Sequence, residues 1–198
     1  ALVQALVRLG HPNMPDDALS PEALAWCFDA AHISTAAVKW SDADMWRWHA
    51  RLLHAMAPEE LAPLIRPHVP ETDDARLRAF AALISGNLQR VEDAAGFIRL
   101  LDVQAEIGED AADVIRRAGT DFFNAALASW QELAAADWQA WTQAIKAKTG
   151  HTGKALFLPL RAALTGVLHG PEMSAVVGFL GRDGVSARLE HVKGWLNA

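Results

Sequence analysis

An arginine lies within a strongly apolar segment near the C-terminal end of the chain. Residues 153–166 read Gly-Lys-Ala-Leu-Phe-Leu-Pro-Leu-Arg-Ala-Ala-Leu-Thr-Gly, so Arg161 has apolar neighbours on both sides. A guanidinium is a planar fork of donors, and an arginine held in a packed frame can hydrogen-bond the edge of a nucleic-acid base. Arg161 is therefore a candidate base reader. A pair with Glu172 or with a helix C-terminus is the structural alternative.

The other chemically capable residues lack the spacing that a catalytic or metal site needs. His49 and His54 are five residues apart, which puts them on different faces of a helix, and neither has a cysteine or carboxylate at ligand spacing. The Gly-His-Thr-Gly-Lys run at 150–154 follows no strand, as a phosphate-binding loop would. Cys27 is the only cysteine and cannot form an internal disulfide. We predict no catalytic, metal or cofactor site within this chain.

The tryptophans form a second group that could bind nucleic acid, because aromatic rings stack on bases. Aromatic residues on amphipathic helices more often pack against neighbouring helices. We therefore predict core positions for most of these rings. They include Trp40, Trp46, Trp48, Trp130, Trp138 and Trp141.

Helix signals recur along the whole sequence, and runs of alternating β-branched residues are absent, so we predict an all-α fold. Pro159 kinks the helix that carries Arg161, and Gly166 ends it. The predicted helices span about 1–10, 23–31, 42–56, 59–65, 74–84, 92–101, 110–117, 120–134, 137–148, 154–165, 171–180 and 183–196.

Prolines and glycines divide the predicted helices into three successive groups. Pro67 and Pro70 separate the first group from the second, and the glycines at 150 and 153 separate the second from the third. We therefore predict units at 1–68, 71–150 and 151–198.

The bulk composition is that of a globular protein that buries a core, with 52% apolar and 21% charged residues. No stretch approaches the roughly 18 consecutive apolar residues of a membrane span, and the N-terminus has no signal-peptide pattern. We expect a cytoplasmic protein that does not bind membranes. The chain opens inside an apolar helical pattern without a methionine or a capping residue, so we also expect a fragment of a longer protein.

The charge is distributed unevenly along the chain. The net charge is −6, which argues against a broad nucleic-acid surface, because phosphate binding needs cations. Residues 1–152 carry a balance of −8, whereas residues 153–198 carry +2. Contact with a phosphate backbone is therefore expected near the C-terminal end. Ordinary variation of surface charge explains the difference equally well.

The segment from Lys154 to Glu172 resembles the C-terminal anticodon-binding signature of bacterial glutamyl-tRNA synthetases, the class I enzymes that attach glutamate to its tRNA. The match covers residues 153–166 and continues through His-Gly-Pro-Glu at 169–172. In that family the equivalent arginine reads the third anticodon base. The resemblance assigns this role to Arg161 and places Gly170 and Pro171 in the same pocket.

A second match concerns Arg99. Residues 94–101 read Ala-Ala-Gly-Phe-Ile-Arg-Leu-Leu and resemble the family segment whose arginine inspects the first anticodon base. In the family, arginine there goes with enzymes that accept glutamate tRNA and reject glutamine tRNA. The resemblance therefore implies the discriminating type, and a surface salt bridge from Arg99 to a nearby acid is the structural alternative.

The resemblance extends over the rest of the chain and divides it by role. Residues 1–68 resemble the stem-contact region, especially that of alphaproteobacterial members, and residues 71–198 resemble a helical anticodon-binding domain in two parts. It implies contact with the RNA backbone at Lys39, Arg51 and Lys154. The family's two ATP-site motifs are absent from these 198 residues. The resemblance thus implies a monomeric parent ligase that uses ATP and Mg²⁺ and binds glutamate tRNA, and a chain that binds tRNA without catalysing the reaction or holding a cofactor.

Departures from the family pattern leave a second interpretation open. Gln4 and His49 stand where asparagine is usual, and His11 stands where tryptophan is common. Together with the net acidity, these residues are compatible with a helical protein-interaction module that has lost RNA function. The two interpretations differ in salt dependence, because only phosphate binding weakens steeply as salt is added.

Overall fold

A computed structural model describes residues 1–11, 13–102, 104 and 106–197, and these residues form helices and connecting turns without a β-strand. The all-α prediction is confirmed. Short 3-10 segments lie at Ala30–His32, Arg66–His68, Ser85–Asn87 and Val91–Leu100. The α-helices are α1 (Leu2–Arg8), α2 (Pro21–Cys27), α3 (Asp42–Ala55), α4 (Pro58–Ile65), α5 (Asp74–Ile84), α6 (Glu109–Glu132), α7 (Trp138–Thr149), α8 (Lys154–Thr165) and α9 (Met173–Leu196).

Local signals set most helix starts. The side chains of Ser20, Ser41, Asp73 and Asp137 each accept a hydrogen bond from a first-turn backbone N–H of the following helix. Helices α6 and α9 each consist of two helical parts that meet at a glycine with a non-helical backbone, Gly119 and Gly181, between the members of the two predicted pairs. Both glycines have positive φ, 76° and 66°, which explains why the sequence pattern breaks there.

Several predicted boundaries, by up to four residues, and one predicted helix type are wrong. Helix α2 ends at Cys27 rather than at residue 31, and α9 begins at Met173 because the Glu172 carboxylate caps it. The segment Val91–Leu100 forms 3-10 turns instead of an α-helix. The carbonyls of Arg99 and Asp102 accept hydrogen bonds from the distant Arg188 side chain, a tertiary contact that no pattern within the segment reports.

Helix α6 lies at the centre of the core and packs against α7, α8 and α9. Its stripe of apolar residues at 122, 123, 126, 127 and 130 is buried, as its helical spacing predicts. One cluster of buried side chains runs from Leu53 to Val192. Helix α5 joins this core by packing on α4 and α9, while α1 packs on α3. The division at 1–68, 71–150 and 151–198 stays a prediction.

The tryptophans divide between core and surface. Trp48, Trp130 and Trp141 are buried, as predicted. The core prediction is wrong for Trp40 and Trp46, which are each 38% exposed. The Trp40 Nε1 donates to Asp42 Oδ1 at 2.6 Å, and the Arg90 guanidinium lies 4.0 Å above the Trp46 ring, so both rings pair with polar groups at the surface.

No helix in the described part of the chain combines the length and apolarity needed to cross a membrane. Within the same ranges, no group of three or more His, Cys, Asp or Glu residues is placed to hold a metal ion.

Candidate nucleic-acid interface

Helix α8 exposes one face and buries the other. Leu156, Leu160, Ala163 and Leu164 lie in the core, against α6 and α9. Lys154, Phe157 and Arg161 follow one another at spacings of three and four residues, so they share the opposite face. The helix ends at Gly166, which adopts the left-handed conformation with φ of 73° and donates its N–H to Ala162 O at 2.9 Å.

Arg161 is half-buried at the last turns of α8. Its Nη1 donates to the carbonyl oxygen of Pro171 at 3.0 Å. Burial lowers the pKa of the guanidinium, and the negative charge of Glu172 acts in the opposite direction. A guanidinium has five N–H donors, and only one of those on Arg161 has an acceptor among the described residues. Arg161 is therefore held in place with most of its planar fork available.

The carboxylate of Glu172 is committed elsewhere. It accepts hydrogen bonds from the backbone N–H groups of Ser174 at 3.2 Å and Ala175 at 3.3 Å and from the Ser174 hydroxyl. These bonds, the Ser174 side chain first, lower the pKa of the carboxyl group. Within the described ranges Arg161 and Glu172 form no salt bridge. Arg161 instead bonds the carbonyl of Pro171, which lies in the turn before α9 and not at a helix C-terminus.

Gly170 and Pro171 lie beside Arg161, in the turn that connects α8 to α9. Pro171 is buried and supplies the carbonyl that holds the guanidinium. Gly170 has a φ of 133°, which side chains rarely adopt, and a Cβ there would stand 3.7 Å from Phe97 Cε1. The turn therefore packs closely on the Val91–Leu100 segment.

Arg99 lies on that same segment and reaches the end of α8. Its Cδ is 3.6 Å from where a Cβ on Gly166 would stand, and its Nη1 is 3.4 Å from the equivalent point on Gly108. Arg99 forms no salt bridge with any described residue. It lines a cavity of about 580 Å³ together with Thr72, Ile98 and the acidic residues Glu71, Asp102 and Glu106. The structure thus brings Arg99 and the Gly170–Pro171 turn together around the end of α8.

Arg188 organises this region, and the sequence analysis missed it. It is 3% exposed and donates to three carbonyls: Leu164 O at 2.8 Å, Arg99 O at 2.6 Å and Asp102 O at 2.7 Å. Burial lowers the pKa of the guanidinium to about 10. One signal could have identified it, because residue 188 falls on the apolar stripe of positions 185, 189 and 192.

The three predicted backbone-contact residues lie in different places. Lys154 begins α8 and is exposed on the same face as Arg161. Lys39 is exposed in the segment before α3. Arg51 lies on α3 and pairs with Asp16 at 2.7 Å, a contact that raises the pKa of its guanidinium. Helix α3 packs on α1, so Lys39 and Arg51 belong to a different part of the molecule from Arg161.

Gly166 lies close to the backbone of a neighbouring segment. A Cβ there would stand 3.1 Å from Glu106 O, whereas none of the described residues comes within 4 Å of a Cβ on Gly150, which has the same φ of 73°. We expect Gly150→Ala to lower the free energy of unfolding by about 1 kcal/mol through backbone strain alone, and Gly166→Ala by about 2 kcal/mol. Urea unfolding of both variants measures the difference. Equal losses would contradict the close packing at Gly166.

A model of the anticodon binding domain family matches residues 60–193, a range that runs from within α4 almost to the end of α9. The chain belongs to the anticodon binding domain family. This range contains Arg99, Arg161, Gly170, Pro171 and the whole of their surroundings on α8 and α9.

Similar proteins are glutamate–tRNA ligases, which are aminoacyl-tRNA synthetases. The chain is 36% identical over 194 residues to glutamate–tRNA ligase 1 of Parvibaculum lavamentivorans, a match that covers 96% of this chain and 40% of that protein. It is 38% identical over 169 residues to glutamate–tRNA ligase 2 of a Methylobacterium species, covering 85% and 36%. The chain therefore spans about 40% of the length of these relatives, and the resemblance seen in the sequence is confirmed.

The solved structure of a glutamate tRNA ligase from Elizabethkingia meningosepticum shares the fold. The TM-score is 0.74, and the match covers 98% of this chain and 41% of that one. The sequence identity is 15%, so the likeness shows the fold alone.

Proposed function

We propose that this chain binds tRNA and reads its anticodon. Arg161 offers its free donors to the edge of the third anticodon base, in a pocket that it shares with Gly170 and Pro171. The observation that carries the proposal is the state of Arg161, which is fixed by a single hydrogen bond to Pro171 O while the rest of its fork stays available. Membership of the anticodon binding domain family and similarity to glutamate–tRNA ligases support the same function.

The partner in this proposal is a glutamate tRNA, and the chain is the RNA-reading part of a glutamate–tRNA ligase. In this proposal glutamate is activated with ATP and Mg²⁺ outside these 198 residues, which contain neither of the family's two ATP-site motifs. No catalytic step is assigned to this chain. We further propose that the protein is cytoplasmic and monomeric, with stem contact through residues 1–68, including Lys39 and Arg51, and anticodon contact through residues 71–150 and 151–198.

Arg99 is proposed to inspect the first anticodon base. Its position beside Gly166 and at the edge of the cavity of about 580 Å³ supports this role, because an unstacked base needs space beside a donor group. The acids that line the cavity disfavour a phosphate there, so the contact is made to a base rather than to the backbone. The proposal implies that glutamine tRNA binds more weakly than glutamate tRNA.

Replacement of Arg161 tests the proposal. The parent chain should bind glutamate tRNA more tightly than a transcript with an altered third anticodon base, and Arg161→Ala should lose about 1–3 kcal/mol of binding free energy and most of this preference. Arg161→Lys keeps the charge but loses the fork, so it should lose the preference while the salt dependence stays unchanged. Filter binding at a stated salt concentration measures all three proteins.

The control variant is Arg116→Ala, which removes one positive charge from an exposed arginine that pairs with Asp113 on α6. It should retain the base preference. If Arg161→Ala bound both transcripts as the parent chain does, Arg161 would not be the base reader. If affinity did not fall with added salt, the chain would be a protein-interaction module instead.

A further inference from the structure

A second cavity, of about 280 Å³, lies at the beginning of α8, away from the Pro171 turn. Its basic lining residues are Arg117 on α6, His151 in the turn between α7 and α8, and Lys154 at the start of α8. The remaining lining residues are apolar, and none is acidic. A cavity with this lining favours a bound anion, because no carboxylate competes for the cations.

Arg117 and Lys154 lack an acidic partner among the described residues, whereas neighbouring cations have one. Arg116 pairs with Asp113 at 2.8 Å, and Lys148 pairs with Glu132 at 2.7 Å. Arg117 and Lys154 are exposed, and neither forms a salt bridge with a described residue. The His151 ring packs edge-on against Phe122, with centroids 5.4 Å apart, which holds it at the cavity wall. In a chain with a net charge of −6, two such cations that line one cavity favour a bound anion there.

The cavity also lies in line with Arg161. Lys154 and Arg161 are seven residues apart on α8, which places them on one face with about 10 Å between them along the axis. An RNA strand that presents a base to Arg161 can follow this face toward the cavity. Phe157 lies between the two residues and is 44% exposed.

We propose that Arg117, His151 and Lys154 hold a backbone phosphate of the same RNA strand whose base Arg161 reads. This inference rests on the proposed function and adds the site that fixes the strand. The ligand chemistry is a phosphate, and the source is a phosphodiester of RNA rather than free inorganic phosphate.

The test compares two double variants that remove the same charge. Arg117→Gln with Lys154→Gln changes the cavity, whereas Arg116→Gln with Lys148→Gln changes two paired cations outside it. The cavity variant should bind glutamate tRNA roughly tenfold more weakly at low salt, equally for transcripts with the correct and the altered anticodon base, and its salt slope should fall by about 0.7. The control variant should match the parent chain in both quantities.

Other results overturn the inference and identify which step failed. Equal weakening in both double variants means that only overall charge matters. If inorganic phosphate shifts the His151 ring signals in NMR spectra but the cavity variant binds tRNA as the parent does, the site takes a free anion instead. If Arg161→Ala weakens tRNA binding as expected but the cavity variant binds as the parent chain does, the phosphate site is refuted and the proposed function stands. If the parent chain does not bind tRNA, the proposed function itself is refuted.

Discussion

Arg188→Met is expected to lower the free energy of unfolding by about 3 kcal/mol, because three buried or partly buried hydrogen bonds from this buried side chain to carbonyls are lost. The oxygens of Leu164, Arg99 and Asp102 lose bonds of 2.6–2.8 Å, and each unsatisfied carbonyl costs about 1–3 kcal/mol. The substitution also removes the free-energy cost of desolvating the guanidinium, so the net loss of stability is smaller than the sum of the three carbonyl costs. Urea unfolding followed by circular dichroism measures the change.

Arg182→Met is the matched control on the same helix. Arg182 also donates to two carbonyls, Leu133 O and Gln131 O, but it is exposed, so water can replace its bonds. Its loss should stay below about 1 kcal/mol. If the two variants lost the same stability, burial would not be the reason that Arg188 matters.

The difference between Arg188→Met and the parent should not change between pH 6 and pH 9. The pKa of the folded-state guanidinium is lowered to about 10, so the folded chain keeps this proton throughout that range, as the unfolded chain does. The cost in folding free energy of burying the charged guanidinium is constant below about pH 10. It falls as pH rises above that value, because the unfolded state then binds more protons than the folded state. A difference that varied across this range would mean that another group titrates with Arg188.

Trp141→Ala is expected to lower the free energy of unfolding by about 4 kcal/mol. The Trp141 ring is fully buried, its centroid lies 4.9 Å from that of Trp130, and its Nε1 donates to Ala126 O at 2.8 Å. The substitution leaves a cavity between α6 and α7 and removes a buried hydrogen bond. A chain with ordinary stability loses a large part of its margin, so the urea midpoint should fall steeply.

Trp26→Ala removes the same side chain from the surface, where Trp26 is 91% exposed. It should change the free energy of unfolding by less than about 0.5 kcal/mol. Circular dichroism is the appropriate probe for both variants, because each substitution alters the tryptophan fluorescence. Similar losses in the two variants would contradict the placement of Trp141 in the shared core.

Much of the secondary structure and part of the site could be predicted from local patterns. The capping residues Ser41 and Asp73 mark helix starts that the structure has within a residue, and Gly166 marks the end of α8. These capping residues act on backbone groups a few residues away, so a short stretch of sequence is enough to predict them. The match around Arg161 likewise lies within one continuous segment.

The sequence by itself determined the helical class, most helix boundaries, the apolar stripe of α6 and the family to which the chain belongs. Only the tertiary structure decided which carbonyls Arg188 bonds, that Arg99 lies against Gly166, and that Arg117 and Lys154 line one cavity. The partners in these contacts are up to 89 positions apart along the chain, as in the bond from Arg188 to Arg99 O. Helical periodicity reports which face of one helix is apolar, but not which distant carbonyl or cation that face will meet. The environment of Arg161 depends on both the sequence and the tertiary structure. The segment around Arg161 is continuous in the sequence, but its bond to Pro171 and the capping role of Glu172 depend on how α8 and α9 meet.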